Sequence, residues 1–392
     1  MVDLIELDIE NRNPTIKSKL YTNKSNQMQY QILNYDPTDL LYDNTEGLYR
    51  CVILTEPEGE LLGFSHPRSQ VLQIFREKYP KLDSSKMFIN EIVEGTMIQL
   101  FWDPRIESWE IATKGSIGGN NWFYRTKYPD LGEQKTFRDM FFDVFQSFSA
   151  FDSFPKDHCY QFILQHPENP IVLSIQKPAV YLVGVYRIMN NKKVLPIFPT
   201  EYEQWSIFMT TPIQFPPRMI VDSYDEIIEN YCSIHANIAP YIKMGFMILH
   251  LDTGERTTIE NPIYKEVREL RGNHPNLQYQ YLCLRRINKV NDFLLYFPQY
   301  KKIFHRFSKQ YSEFLQGLHQ SYLTYYIQKK GIQISKRYFP LIYRIHREVY
   351  LPSLNSGERK IMRLGEIAKY IETITPNELI YYLNYHVDET AK

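Results

Sequence analysis

The chain has 392 residues, 43% of them hydrophobic, with 45 Lys+Arg against 45 Asp+Glu and a formal net charge of zero. That length is too great for one ordinary core and implies two domains, and the composition excludes an extended disordered chain. The charge balance excludes attraction to nucleic acid by the molecule as a whole and leaves only local basic patches for that purpose.

In chain order, residues 1–48 mix short apolar runs with Asn, Asp, Thr and Pro, which predicts an irregular segment with limited strand packed on the next domain. "YRCVILTEPEGELLGFS" from Tyr49 reads as two strands around a "PEGE" turn. "RSQVLQIFREKY" has helical spacing at Val71, Leu72, Ile74 and Phe75. "NEIVEGTMIQLFWDPRIESWEIATKGSIGG", residues 90–119, predicts two strands, opened by an acidic-glycine turn and closed by a Lys-Gly-Ser turn. "KTFRDMFFDVFQSFSAF" is an amphipathic helix with Phe137, Phe141, Phe145 and Phe148 near one face. "CYQFILQHP" and "AVYLVGVYRIM" are strands, and "GFMILHLDTGERTTIE" is a hairpin turning at Thr253-Gly254. Beyond residue 290 the pattern becomes helical, with Pro298 near a helix start and Thr375, Pro376 and Glu378 forming a helix-start signal. The expected class is α+β: residues 1–48 as a packing segment, 49–288 as an antiparallel-sheet domain and 289–392 as an all-α domain.

A set of short stretches stands in an order that carries meaning. They are Arg50-Cys51 in "LYRCVI", Ile92-Val93-Glu94-Gly95, Thr113-Lys114-Gly115-Ser116, "YQFILQHPENPIVL" around Gln161, and the pair Met244-Gly245-Phe246-Met247 with "TIENPIYKEVRELRGN". Each alone is weak; together, in strand context, they resemble the T4-type RNA ligases of the covalent nucleotidyl transferase superfamily, over roughly residues 49–285. The helical tail resembles the C-terminal domain of RNA ligase-like proteins in large DNA viruses. The resemblance implies a ligase-like fold with a nucleotide pocket at Arg50, Glu94, Gly95, Lys114 and Gly245.

The same resemblance exposes departures. Where the family has a nucleophilic lysine, which attacks the nucleotide α-phosphate, this chain has Ile92, and an alkyl side chain forms no phosphoramidate. Gln161 replaces a ribose-binding glutamate, and Met244 replaces a glutamate that helps hold a metal. Thr258 and Glu260 replace two phosphate-neutralising lysines. Met244 removes a hard oxygen ligand that Mg²⁺ prefers, and Glu260 sets negative charge where phosphates would lie. Lys86 lies six residues before Ile92, about 20 Å away along an extended strand; Lys114, on the neighbouring strand, is the better substitute.

These changes point to a catalytically degenerate RNA ligase-like protein that binds RNA or a protein partner and needs no cofactor. One alternative is an active ligase using a relocated lysine with ATP and Mg²⁺; another is a scaffold subunit of a viral complex. Candidate nucleic-acid contacts are Trp122, Arg125 and Lys127 in "GGNNWFYRTKY", and Arg268, Arg271, Tyr279 and Arg285 in the basic, aromatic segment that follows the hairpin. A Cys159–His158 dyad is disfavoured because neighbours on a strand point to opposite faces. The four cysteines form no C-x-x-C pair, which fits a reducing compartment. "MVDLIELDIENRN" has no apolar signal core, and no apolar run approaches the ~20 residues of a membrane span. A cytoplasmic site is expected, in host cytoplasm or a viral factory if the source is viral.

Overall fold

The structure is a computed structural model that describes residues 4–36, 46–123, 134–233, 241–331, 333–355 and 360–389. Backbone contacts separate two compact units, Met1–Phe123 with Glu133–Arg268 in one and Glu269–Lys392 in the other.

The first unit begins with strands β1 (Ile5–Glu6), β2 (Lys17–Thr22), β3 (Gln29–Asn34), β4 (Arg50–Thr55) and β5 (Leu61–Gly63), then helix α1 (Leu72–Lys78). Strands β6 (Met87–Glu91), β7 (Thr96–Asp103), β8 (Ser108–Thr113) and β9 (Ser116–Ile117) precede helix α2 (Phe137–Phe145). There follow β10 (His158–Gln165), β11 (Ala179–Met189), β12 (Lys193–Ile197), the one-turn α3 (Pro199–Tyr202), β13 (Ile213–Gln214), β14 (Arg218–Met219) and the one-turn α4 (Tyr224–Ile227). The hairpin β15 (Gly245–His250) and β16 (Arg256–Glu260) leads into α5 (Pro262–Arg271).

Three sheets result: a large one ordered β1-β12-β11-β10-β7-β8-β9 with β13 beside β11, and two four-stranded ones ordered β14-β6-β15-β16 and β2-β3-β4-β5. Nearly all pairing is antiparallel; β13 on β11 is parallel. The two faces of the large sheet follow the strand period of two. From β7, Ile98 and Leu100 join the core under α2, whereas Phe101 faces the N-terminal sheet. From β10, Tyr160 and Phe162 take the first face and Cys159 the second. Helix α2 starts at Thr136, whose side chain accepts from the Asp139 N–H while Asp139 returns to the Thr136 N–H. It buries Phe137, Met140, Phe141 and Phe145.

The α+β class read from sequence is what the structure has. Several details differ. The first 48 residues are more than an irregular segment: β2 and β3 have six residues each, and β3 sits inside a sheet between β2 and β4. Their burial is concentrated in a few residues, so the local pattern was weak. Phe148 falls outside α2, in a separate 3₁₀ turn. In α1 only Phe75 is fully buried; Val71 and Ile74 are exposed, because a two-turn helix lying on a sheet offers it one narrow face.

The second unit contains α6 (Leu277–Arg286), α7 (Val290–Tyr296), α8 (Lys301–Tyr322), α9 (Phe339–Ile345), α10 (Leu351–Asn355), α11 (Leu364–Thr373) and α12 (Pro376–Glu389). Pro298 opens a 3₁₀ turn that runs into α8. Helix α8 buries Ile303, Phe304, Phe307, Tyr311, Phe314, Leu318 and Tyr322, an apolar stripe at spacings of three and four. The unit begins at Glu269 rather than after residue 288, because α6 packs with the helices. Its Tyr281 ring meets Phe304 at 5.3 Å, its Gln278 bonds Gln310 and Asn384, and its Arg285 pairs with Glu372. At α12 the Glu378 N–H donates to Thr375, while the Glu378 carboxylate bonds Arg344 instead of closing a capping box.

Candidate functional site

A cleft of about 470 Å³ opens in the first unit. One wall is the inner face of the sheet built on β6, β15 and β16. Along β16, Thr257 and Ile259 are buried on the side away from the cleft, so Arg256, Thr258 and Glu260 present to it. On β15, Phe246 and Ile248 go to the core and Met247 to the cleft. The opposite wall comes from Met97 of β7, Ile163 of β10 and Val183 of β11, with Arg50 of β4.

Of the residues singled out in the sequence, Arg50, Ile92, Glu94, Gly95, Met244, Thr258, Glu260 and Arg268 line this cleft. Gly245 is in its wall as backbone, paired with Glu260. Gln161 is not a lining residue: it is 0% exposed and its amide donates to the Phe64 carbonyl at 2.7 Å. The residue that stands where the resemblance implies a ribose-binding glutamate is thus held inside the sheet. Lys114 is solvent-exposed at the rim, with Nζ 5.8 Å from the centre of the Tyr35 ring, and Tyr35 lines the cleft. The surrounding protein, then the Arg50 guanidinium, lower the Lys114 pKa.

The side chains that match the resemblance have structural employment. Glu94 is 3% exposed, and its carboxylate accepts from the N–H groups of Ile171, Val172 and Leu173 and from the Tyr264 hydroxyl at 2.6 Å. Those donors occupy the oxygens a metal would need. A Cβ on Gly95 would lie 2.5 Å from the Leu164 carbonyl oxygen, and one on Gly245 (φ +142°) 2.2 Å from that of Ile259. Both glycines are required by close backbone approach. Met244 offers a thioether in place of an oxygen, so this wall does not fit Mg²⁺.

The cleft also holds arginines, two of which, Arg68 and Arg256, the sequence reading did not single out. Arg50, Arg68, Arg256 and Arg268 line it, and no lysine does among the described residues. Arg256 donates to the Pro67 carbonyl at 2.6 Å, and the buried Nε atoms of Arg50 and Arg256 have no partner among the described residues. Burial first, and then the Arg50 charge, bring Arg256 down to about 10. Burial, Arg256 and Arg50 together hold His66 well below the usual histidine range, so its ring is neutral. Four carboxylates, Glu91, Glu94, Glu203 and Glu260, line the same cleft. Glu91 pairs with Lys243, Glu94 is occupied as above, and burial raises the pKa of Glu203. The signal for Arg256 was available: it precedes Thr258 by two residues and therefore shares its strand face.

The remaining candidates fall away from this site. Arg271 is 7% exposed, Arg285 pairs with Glu372 and lies 3.9 Å over the Tyr311 ring, and Tyr279 stacks on His274 at 3.9 Å. All three are held within the helical unit. Trp122 is half-buried, and Arg125 and Lys127 lie outside the described residues. His158 pairs with Asp157 and His166 with Asp143, and burial pushes the Cys159 thiol up to about 12, which leaves no cysteine–histidine dyad there.

The chain is 22% identical over 278 residues to an RNA ligase of Rhodothermus phage RM378, covering 61% of this chain and 58% of that protein. It is 22% identical over 306 residues to an immediate-early protein ICP-46 homolog of Invertebrate iridescent virus 6, covering 71% and 63% respectively. The chain is RNA ligase-like. The matches of this RNA ligase-like chain span less than two thirds of either viral relative, and no protein-family model matches it. Among solved structures it is similar to Naegleria gruberi RNA ligase, with TM-score 0.38 and 11% identity over 68% of this chain and 84% of that one. A form of the same ligase solved with pyrophosphate gives TM-score 0.37 and 12% identity, with the same coverage. Among the described residues no helix is long and apolar enough to cross a membrane.

Proposed function

We propose that this chain is a catalytically degenerate RNA ligase-like protein that binds RNA without attaching a nucleotide to itself. The observation that carries the reading is the absence of lysine among the described residues lining the cleft, with Ile92 at the position expected for the nucleophile. The four lining arginines are no replacement, since a guanidinium stays protonated and cannot attack phosphorus. What matches the family motifs, Glu94, Gly95 and Gly245, is accounted for by hydrogen bonding and close backbone packing. What departs from them, at residues 92, 244, 258 and 260, are positions where only the chemistry demands a lysine or glutamate. RNA rather than a protein is favoured as partner by the arginines that line the cleft, and the binding is expected to weaken with salt. A cytoplasmic setting belongs to the same reading.

A second reading has one observation behind it. Lys114 sits at the rim beside Arg50 with a lowered pKa, the property an attacking amine needs. Incubation with radiolabelled ATP or GTP and Mg²⁺, followed by denaturing electrophoresis, separates the two. No labelled band is expected. A band that disappears in Lys114→Ala would replace degeneracy with a relocated nucleophile.

A further inference from the structure

We propose that the outward side of the helix 339–355, in the second unit, is a docking surface for an acidic amphipathic helix of a partner protein. The inference is independent of the cleft and of its RNA-binding reading. Residues 314–347 contain six Lys and Arg and no Asp or Glu, which leaves 39 Lys+Arg against 45 Asp+Glu in the rest of the chain. A chain of zero net charge has therefore gathered positive charge into one stretch. Its described residues form the end of α8, a π-helical turn at Leu323–Ile327, and α9, which runs through a second π-helical turn, His346–Tyr350, into α10. Leu341, Ile342 and Ile345 are fully buried on the inner side of α9. Gly317 of α8 permits the close packing there, because a Cβ on it would lie 2.5 Å from the Tyr338 hydroxyl. The outward side is apolar too. Phe339, Tyr343, Leu351 and Leu354 of this helix, with Tyr325 and Ile327 beside it, are each 41–54% exposed. A helix that is apolar all round belongs inside a core or an assembly.

Ring geometry and charge decide what covers this side. Tyr326 stacks on His346 at 3.7 Å, His346 on Tyr350 at 5.0 Å, and Tyr325 meets Phe339 edge-on at 5.6 Å. Rings so arranged give one another the faces on which bases would stack, and Ile327, Leu351 and Leu354 have no flat face to offer. Apolar side chains of a helix fit such a surface instead. At its margin Lys329, Lys330, Lys336 and Arg347 are exposed, and none has an ion pair among the described residues. The other two cations of the stretch are engaged: Arg337 donates to the Tyr382 and Leu383 carbonyls, and Arg344 pairs with Glu378. The carboxylates that flank the stretch have their own partners. Glu313 lies 3.9 Å from Lys309, and Glu348 accepts from the Tyr370 hydroxyl at 2.7 Å. Unpaired cations around an apolar surface call for carboxylates interspersed with apolar side chains, and an acidic amphipathic helix displays both.

The test uses the full chain. Displayed random peptides of about 15 residues, long enough for four helical turns, are selected on it, and the enriched sequences are measured by fluorescence anisotropy. Enriched peptides are expected to carry Asp and Glu among apolar residues spaced i, i+3, i+4 and i+7. Tyr343→Ser and the charge reversal Lys329→Glu each weaken the best peptide roughly tenfold, the loss expected of an interface anchor. Both positions are exposed, and an unchanged Tm shows that the variants fold. Labelled single-stranded RNA is titrated in parallel, and the chain alone is sedimented across a range of concentration. The proposal is overturned if no acidic amphipathic pattern is enriched, or if both variants bind the selected peptide as the wild type does. It is equally overturned if Tyr343→Ser abolishes RNA binding or dissociates a dimer, since RNA or a second copy is then the occupant. An RNA affinity that neither variant alters leaves the reading of the cleft standing, whichever way the peptide result falls.

Discussion

Ile92 and Glu94 stand two residues apart with opposite fates. Ile92 lines the cleft with an alkyl side chain at the position where the resemblance implies a reactive amine. Glu94 is buried as the acceptor for three backbone N–H groups and a tyrosine hydroxyl. Glu94→Gln removes the charge and half the acceptor capacity, and is expected to lower unfolding free energy by about 2–3 kcal/mol in urea titration. Gly245→Ala drives a methyl toward the Ile259 carbonyl oxygen and should cost about 1–3 kcal/mol. A change below about 0.5 kcal/mol for both would mean that these residues match the family motif for reasons other than the fold.

At the scale of elements, the N-terminal sheet is attached to the large sheet by a polar knot. Tyr30 of β3 donates to Asp103 at the end of β7 at 2.8 Å, and Arg105 pairs with the same carboxylate at 2.9 Å while its guanidinium lies 4.9 Å over the Tyr30 ring. Burial alone would raise the Asp103 pKa, but the Arg105 and Tyr30 hydrogen bonds outweigh it and lower it from 3.8. A carboxyl lowered on folding stabilises the protein fully above its unfolded pKa, and that stability is lost as pH falls through the folded value. Asp103→Asn should therefore flatten the stability–pH curve below about pH 4, measured by thermal melting from pH 6 to pH 2. An unchanged acid limb would show that the knot is not ionic.

For the whole molecule, the point of division is itself a measurable claim. A fragment 269–392 includes α6 and its contacts through Tyr281, Gln278 and Arg285. It is expected to be helical and to melt cooperatively by circular dichroism. A fragment 289–392, cut where the change of sequence character suggested, exposes the faces of α8, α11 and α12 that α6 covers, and should melt broadly or aggregate. Equal cooperativity in both fragments would return the boundary to residue 288.

The sequence by itself determined the α+β class, the hairpins at "PEGE" and Thr253-Gly254, the amphipathic helix that begins at Phe137, and the alkyl side chain at residue 92. Those depend on side-chain chemistry or on neighbours within a few residues, which a linear reading contains. Tertiary structure decided the rest. Whether Gln161 reaches the cleft depends on Phe64, distant in the chain, and Arg50 and Arg256 meet only because β4 and β16 bring them to one cavity. Residues 1–48 read as an irregular segment with limited strand because β3 acquires its burial from two partner strands, β2 and β4. Position along the chain specifies periodicity and reactivity, whereas burial and electrostatic company are properties of the assembled sheets.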